Sequence, residues 1–427
     1  MKVLHYSEEN ALELKALVDR ESVRLDEVME SVKPIISQVK SKGDSALYLL
    51  TRKLDKYSLS SENIKVSDSE IRKAYSRTDK RLIKALQDAA LNIGRYHAEQ
   101  YEKIEVNWNT QTLDGVRIEE KIIPLNRVGC YIPGGRASYP STVLMTALPA
   151  KAAGVGKIVL VSPPPISDAV LVAADICRVK EIYRVGGAQA IAALAYGTES
   201  IPQVDKIVGP GNKYVLAAKM LVYGQVDIDM PAGPSEVLII ADESANPGFI
   251  AADVLAQAEH DPSAQSIVVT TSEKIAVKVQ ENVSKQLKDL KRKELGKSLS
   301  NSAIILTREL NDCIEFANLY APEHLEILTK NPKDTVKEIR NAGAVFIGPY
   351  SPVAAGDYAS GSNHVLPTGG AARFASELSV RDFLRNMSIQ HLTRDGLSSL
   401  RHTICEIAEA EGFIAHKKSI EKRFTGE

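Results

Sequence analysis

The chain has 427 residues, with 53 basic and 54 acidic side chains and a hydrophobic share of 44%. That length allows two or three domains with full cores, and the balanced charge excludes a global field that would recruit nucleic acid or an anionic membrane. The longest charge-free stretches, residues 137–150 and 185–198, are 14 residues each, short of the roughly 20 needed for a membrane helix.

Residues 1 to about 110 read as helical, with apolar spacing of helical period over 8–18, 23–39, 44–54 and 80–101. Pro34 sits early in its helix or kinks it. From residue 116 the pattern changes to strands at 116–123 and 127–132, the second ending in Pro133-Gly134-Gly135. Helices are expected at 141–153, 168–177, 190–196 and 213–223, alternating with strands at 157–161, 181–185 and 205–208. The last two strands run into Gly186-Gly187-Ala188-Gln189 and Gly209-Pro210-Gly211-Asn212. After the turn Pro231-Ala232-Gly233-Pro234-Ser235 come strands at 236–241, 266–271, 303–306, 324–329 and 344–347. Helices fall between them at 248 to about 260, 273–290, 310–319 and 334–342.

Short Val/Ile-rich strands alternating with helices of this length imply parallel sheets covered on both faces. The fold class expected is therefore α/β, with two doubly wound, incomplete Rossmann-like domains in tandem. The boundaries read as a helical section 1–128, a first α/β domain 129–235, a second 236–378 and a helical tail 379–427. In that tail Leu397, Leu400, Ile404 and Ile407 form one stripe, stopped by Gly412. A tail too small for its own core must dock on its own subunit or on a neighbour. The loop-rich run 348–370 is long for a connection and is a candidate for function.

Ligands in open α/β sheets sit beyond the carboxyl ends of strands, where the three glycine-containing turns fall. None is a G-x-G-x-x-G fingerprint, and on spacing alone tight-turn glycines account for them better than a nucleotide site does. The four cysteines, Cys130, Cys177, Cys313 and Cys405, form neither a C-x-x-C pair nor a disulfide framework, which suits a reducing compartment. With no apolar signal core in the first residues, a cytoplasmic location is expected. Cys130 reads as a packed thiol, since no basic neighbour in sequence would activate it.

Gln257 and His260, three apart at a helix end, can point at one object: a metal, a polar ligand or solvent. A helix C-terminus also favours a protonated His260, so a capping role stays open. Glu323-His324 pairs a carboxylate with an imidazole suited to acid/base work, although neighbours on an extended segment point opposite ways. Asp357 could face a cation or serve a turn. Ser235 has no base nearby and is not read as a nucleophile.

These residues lie in VGCYIPGG, RVGGAQAIAALAYGT, VGPGN, DMPAGPSEVLIIAD, QAEHDP, YAPEHLEI, GDYASGSNHVLPTGG and EAEGFIAHKKS. With those motifs, nearly the whole chain resembles the histidinol dehydrogenases, zinc- and NAD-dependent enzymes that oxidise L-histidinol to L-histidine through L-histidinaldehyde. The resemblance implies one zinc per subunit held by Gln257, His260, Asp357 and a partner-derived His416. It implies Glu323 and His324 as the acid/base pair, and Ser235, His364 and Glu411 as substrate contacts beside His324 and the metal ligands. Tyr131, Gln189 and Asn212 match NAD-contacting positions. A homodimer follows, with Glu411 and His416 donated across the interface. The rivals are a metal-dependent hydrolase with the same oxygen- and nitrogen-rich site, and a non-catalytic small-molecule-binding protein.

Overall fold

The computed structural model describes residues 1–19, 25–134, 138–230 and 233–425. Val23 of an expected helix, Gly135 of the first turn, and Pro231 and Ala232 of the turn before Ser235 lie outside them. The chain divides into one unit of Met1–Gln100 with Leu125–Phe383, and a second of Tyr101–Pro124 with Leu384–Glu427.

The first unit holds two parallel sheets. In one, the order across the sheet is Glu181–Tyr183, Lys157–Val161, Arg127–Tyr131, Lys206–Val208 and Asp227–Ile228. In the other it is Lys2–His5, Ala303–Leu306, Gln265–Thr270, Glu236–Ala241, His324–Leu328 and Ala344–Ile347. Leaving out Lys2–His5, both sheets run third, second, first, fourth, fifth in chain order, so each reverses direction beside its first strand. The central strands are apolar throughout because helices cover both faces: Val237 to Ala241 are fully buried, as are Ile267 to Val269.

The front section departs from the helical expectation at its start. Lys2–His5 is an edge strand in parallel register with Ala303–Leu306. Only Leu4 of its four residues is buried, so the segment carries no periodicity of its own and is held by its neighbour. The helices behind it are Ala11–Asp19, Leu25–Leu54, Asp68–Arg77 and Lys80–Glu102. Leu25–Leu54 bends at Gly43, whose φ of 53° lies in the left-handed region. The Glu199 carboxylate occupies the space a Cβ would take there and accepts the Asp44 N–H at 2.7 Å. Val32, Ile36, Val39, Leu47 and Leu50 share a core with Ile191, Leu194 and Ala217, so this helix forms an outer layer over the first sheet.

A buried ion pair fixes one turn at the edge of that sheet. Lys219 Nζ donates to Asp229 Oδ1 and to the Gly209 carbonyl, each at 2.5 Å. Asp229 Oδ2 accepts the Gly209 N–H at 2.6 Å. Gly209 has φ of 113°, and a Cβ would lie 2.2 Å from the Tyr131 carbonyl oxygen, so only glycine fits. Burial raises the Asp229 carboxyl, and Lys219 works against that rise.

The second unit is a three-stranded antiparallel sheet, ordered Leu384–Leu392, Val116–Pro124, Asn107–Leu113, followed by the helices Arg394–Ala410 and Ile414–Glu421. Two of these strands replace expected helix or coil. Asn107–Leu113 is exposed along its whole length and Leu384–Leu392 nearly so, so neither shows a buried face that would mark it as a strand. In the Arg394–Ala410 helix Cys405 and Ala408 are buried, whereas Ile407, expected on the inner stripe, is 55% exposed. Gly412 follows with φ of 77° and ends the helix as anticipated.

Lys219→Met leaves Asp229 uncompensated at 6% exposure. It should cost about 3–5 kcal/mol of stability, the usual result of removing one partner of a buried pair. Urea unfolding at neutral pH checks this, and a loss below about 1 kcal/mol, the size of a surface pair, would contradict the anchoring role.

Candidate functional site

The Leu310–Tyr320 helix ends at Ala321, whose φ of 50° is left-handed for a residue with a side chain, a conformation costing about 1–2 kcal/mol. That reversal delivers Pro322-Glu323-His324 to the amino end of the strand His324–Leu328. In parallel register, Glu236 stands beside Glu323 at the mouth of the neighbouring strand. The two residues exchange bonds: Glu236 N–H donates to Glu323 Oε2 at 2.8 Å, and Glu323 N–H to Glu236 Oε1 at 3.2 Å. Glu236 Oε1 also accepts the Gly369 N–H at 3.1 Å, tying the long loop to the same edge.

His324 Nδ1 lies 3.1 Å from the Glu236 carbonyl. A carbonyl can only accept, so Nδ1 carries the proton. Nε2 has no hydrogen-bond partner and faces Asp357 Oδ1 at 3.6 Å. Glu323 and His324 do not point apart as neighbours on a strand would, because Glu323 precedes the regular strand. Its Oε2 lies 3.5 Å from His324 Nδ1. Burial disfavours a charged His324 ring, but Glu323 and Asp357 outweigh it and hold the imidazole well above its usual range.

Asp357, in the last turn of the Val353–Tyr358 helix, sits between two imidazoles. His260 Nε2 is 3.8 Å from its Oδ2, opposite His324. Burial acts to raise the Asp357 carboxyl, yet His324 prevails and the net shift is downward. His364 Nδ1 donates to the Asp357 carbonyl at 2.9 Å, and burial lowers its pKa, which leaves a neutral ring. His260 lies just beyond the Pro247–Ala258 helix and is exposed, whereas Gln257 on that helix is buried, with no partner for its amide Nε2. Gln257 thus turns inward from a helix end where His260 faces out.

The structure thus brings Glu323, His324, Asp357, His260 and His364 together. Ser235 is half-buried, one residue before Glu236. Among the described residues, no three His, Cys, Asp or Glu side chains gather closely enough to hold a metal ion. Glu411 and His416 are both exposed in the second unit, where the His416 ring lies tilted against Phe413, 5.2 Å between centroids.

Tyr131, Gln189 and Asn212 line the carboxyl edge of the first sheet. The Tyr131 hydroxyl accepts the Gly187 N–H at 3.1 Å. Gln189 Nε2 donates to Asp55 at 3.1 Å, and its Oε1 is buried without a partner. Asn212 Oδ1 caps the Lys213–Val222 helix through the Tyr214 and Val215 N–H groups. Each of these three side chains therefore has a structural duty. Thr142, near the start of the Pro140–Ala152 helix, reaches His364 Nε2 at 3.4 Å. The carboxyl edge of the first sheet thereby abuts the amino edge of the second.

That second edge is an amino edge, unlike the carboxyl edge at which the glycine-containing turns fall. Helices return antiparallel to the strands they follow, so the end of Pro247–Ala258 arrives beside the starts of Glu236–Ala241 and His324–Leu328. Thr142 and Glu236 were not anticipated. A carboxylate heading the otherwise apolar strand EVLIIA was the available signal for Glu236.

Residues 18–424 match the family model described as histidinol dehydrogenase. The histidinol dehydrogenase of Methanothermobacter thermautotrophicus is 50% identical over 416 residues, 96% of each chain. That of Methanococcus maripaludis is 48% identical over 429 residues, covering 99% of this chain and all of its own. A crystal structure of histidinol dehydrogenase from Elizabethkingia anophelis superposes with a TM-score of 0.92 at 41% identity, covering 99% and 98% of the two chains.

The Cys130 thiol is fully buried beneath Tyr131 and pushed up to about 12 by burial. It should resist a thiol-modifying reagent in the native protein and react only on denaturation. Rapid native modification, mapped to Cys130 by mass spectrometry, would overturn the packed assignment.

Proposed function

The chain belongs to the histidinol dehydrogenase family and is an NAD-dependent oxidoreductase acting on L-histidinol; on that premise we propose how its residues divide the work. His324 is the general base. Its Nδ1–H is committed to the Glu236 carbonyl, so Nε2 is the atom turned toward substrate. That fixed ring is the single observation carrying the assignment.

The reaction removes two hydrides and adds one water, consuming two NAD. In the first oxidation His324 Nε2 takes the hydroxyl proton as hydride leaves the carbinol carbon. In the second, Glu323, held by the Glu236 N–H, draws a proton from the water that adds to the aldehyde. Asp357 helps to hold a proton on His324 while it faces the ring alone; with that carboxylate engaged by a cation, the ring is freer to accept one.

The donor set fits a zinc ion. Gln257 presents a buried amide, whose oxygen can face a cation, and the 3.8 Å between His260 Nε2 and Asp357 Oδ2 is near the roughly 3.4 Å of two tetrahedral ligands with bonds of about 2.1 Å. Gln257, His260 and Asp357 would hold the ion with His416 of a second copy. A bound zinc would supply Lewis acidity and a fixed point for the imidazole and amine nitrogens of histidinol. Ser235, His364 and Glu411 would line the substrate, with the neutral His364 ring oriented by the Asp357 carbonyl.

Tyr131, Gln189 and Asn212 would contact NAD at the first sheet's switch point, where two ten-residue helices begin and their N-termini favour phosphate. The two sheets would form tandem doubly wound domains in a cytoplasmic homodimer. Donation of Glu411 and His416 across the interface accords with their exposure beside Phe413 and Ile414, 53% and 46% exposed.

With L-histidinol, the purified protein should form two NADH per substrate oxidised, whereas a hydrolase would form none. His324→Ala should lower kcat by roughly 10²–10⁴-fold, the size of a lost general base; full turnover with only a raised KM would reassign the residue to binding. A chelator should abolish the reaction and zinc restore it. Mixing the inactive His324→Ala and His416→Ala proteins should recover activity through one intact site per hybrid dimer, and no recovery after proven subunit exchange would place each site within one chain.

A further inference from the structure

Two carboxyls outside the reacting cluster meet behind it. Glu326 is 1% exposed in the middle of the strand His324–Leu328, between Ile239 and Phe346 in register. Two residues from His324, it lies on the same face of the sheet. Its Oε1 accepts the Val353 N–H at 3.0 Å, at the first turn of the helix that carries Asp357 four residues later. Its Oε2 is buried and finds no donor. The side chain that meets the Glu326 carboxyl from the Pro247–Ala258 helix is Asp253, one turn before Gln257 and, like Glu326, a group of acceptors.

Two carboxylates have only acceptors to offer each other, so they can bond only with a proton between them. Burial raises both groups, and Asp253 pushes Glu326 up further, which keeps that proton in place. A lone buried carboxylate inside an apolar strand would be costly; a shared proton removes one charge and makes a strong charge-assisted bond.

We propose that Glu326 and Asp253, joined by one proton, are positioning residues that hold in register the three elements bearing the site. The strand carries Glu323 and His324, one helix carries Gln257 with His260 just beyond it, and the other carries Asp357. Glu326, itself on the strand, accepts the Val353 N–H of one helix and meets Asp253 of the other. It acts through them and touches no substrate. The inference rests on the roles given above to His324, Gln257 and Asp357.

Glu326→Gln keeps an acceptor for Val353 and supplies an N–H donor for Asp253, whereas Glu326→Leu keeps the volume and loses both bonds. The glutamine variant should stay within about three-fold of wild type in kcat. The leucine variant should lose about 10–100-fold in kcat and in zinc affinity, measured by competition with a chromophoric chelator, as supporting groups behind metal ligands do. Its melting temperature should hold or rise, since an apolar isostere removes a buried polar group. Wild-type kcat in Glu326→Leu, or an equal fall in both variants, would overturn the proposal. Should the leucine variant fail to fold, Asp253→Ala at its half-buried position makes the same cut, and wild-type kcat and zinc affinity there would be equally fatal. If wild type binds no zinc and works at full rate in chelator, the metal assignment fails while the kcat comparison still decides the role of Glu326.

Discussion

The site depends on the reciprocal exchange between Glu236 and Glu323. Each residue gives its backbone N–H to the other's carboxylate, and the Glu236 carbonyl takes the His324 ring proton. At the amino ends of two parallel strands, the first N–H groups lack ladder partners on that side. Here the side chains supply them, so the frayed edge of a sheet becomes a rigid seat. The same carboxylate captures the Gly369 N–H. A strand end, a loop and the His324 imidazole are thus ordered by a few bonds among groups buried from water, where such bonds are strongest.

Using an amino edge has a geometric corollary. Both sheets share one strand order, yet they offer opposite ends to the same region: the first its carboxyl edge, the second its amino edge. The first presents turns and helix N-termini, fit for anionic groups. The second presents strand starts and a helix end, where imidazole, amide and carboxylate side chains converge. Thr142 and His364 meet at this junction.

Much of this architecture is legible in the residues because local pattern and tertiary demand coincide. Buried parallel strands such as KIVLV and EVLIIA need uninterrupted β-branched and aliphatic side chains, and that composition is visible without neighbours. The strands Lys2–His5, Asn107–Leu113 and Leu384–Leu392 were not legible. Lys2–His5 and Leu384–Leu392 are held by partner strands far along the chain and Asn107–Leu113 by the adjoining Val116–Pro124, and almost none of their own side chains are buried. The site divides in the same way. Glu323-His324 is a recognisable pair, but Glu236 acts from 87 residues away, and no spacing rule links the two. Glu326, inside EHLEIL, is the clearest lost signal: a carboxylate in the middle of a central strand must have a partner.

The second unit draws its three strands from two widely separated parts of the chain. Asn107–Leu113 and Val116–Pro124 alone make a two-stranded hairpin, which is marginal in water. During synthesis that hairpin must wait for the ribosome to translate all of Leu125–Phe383, on the order of ten seconds or more at about 5–20 residues per second. The last strand to emerge is the one that pairs with Val116–Pro124 along its whole length. Nascent chains therefore remain incomplete in this unit until translation is nearly finished, and a truncated product would carry an unpaired hairpin with an open edge.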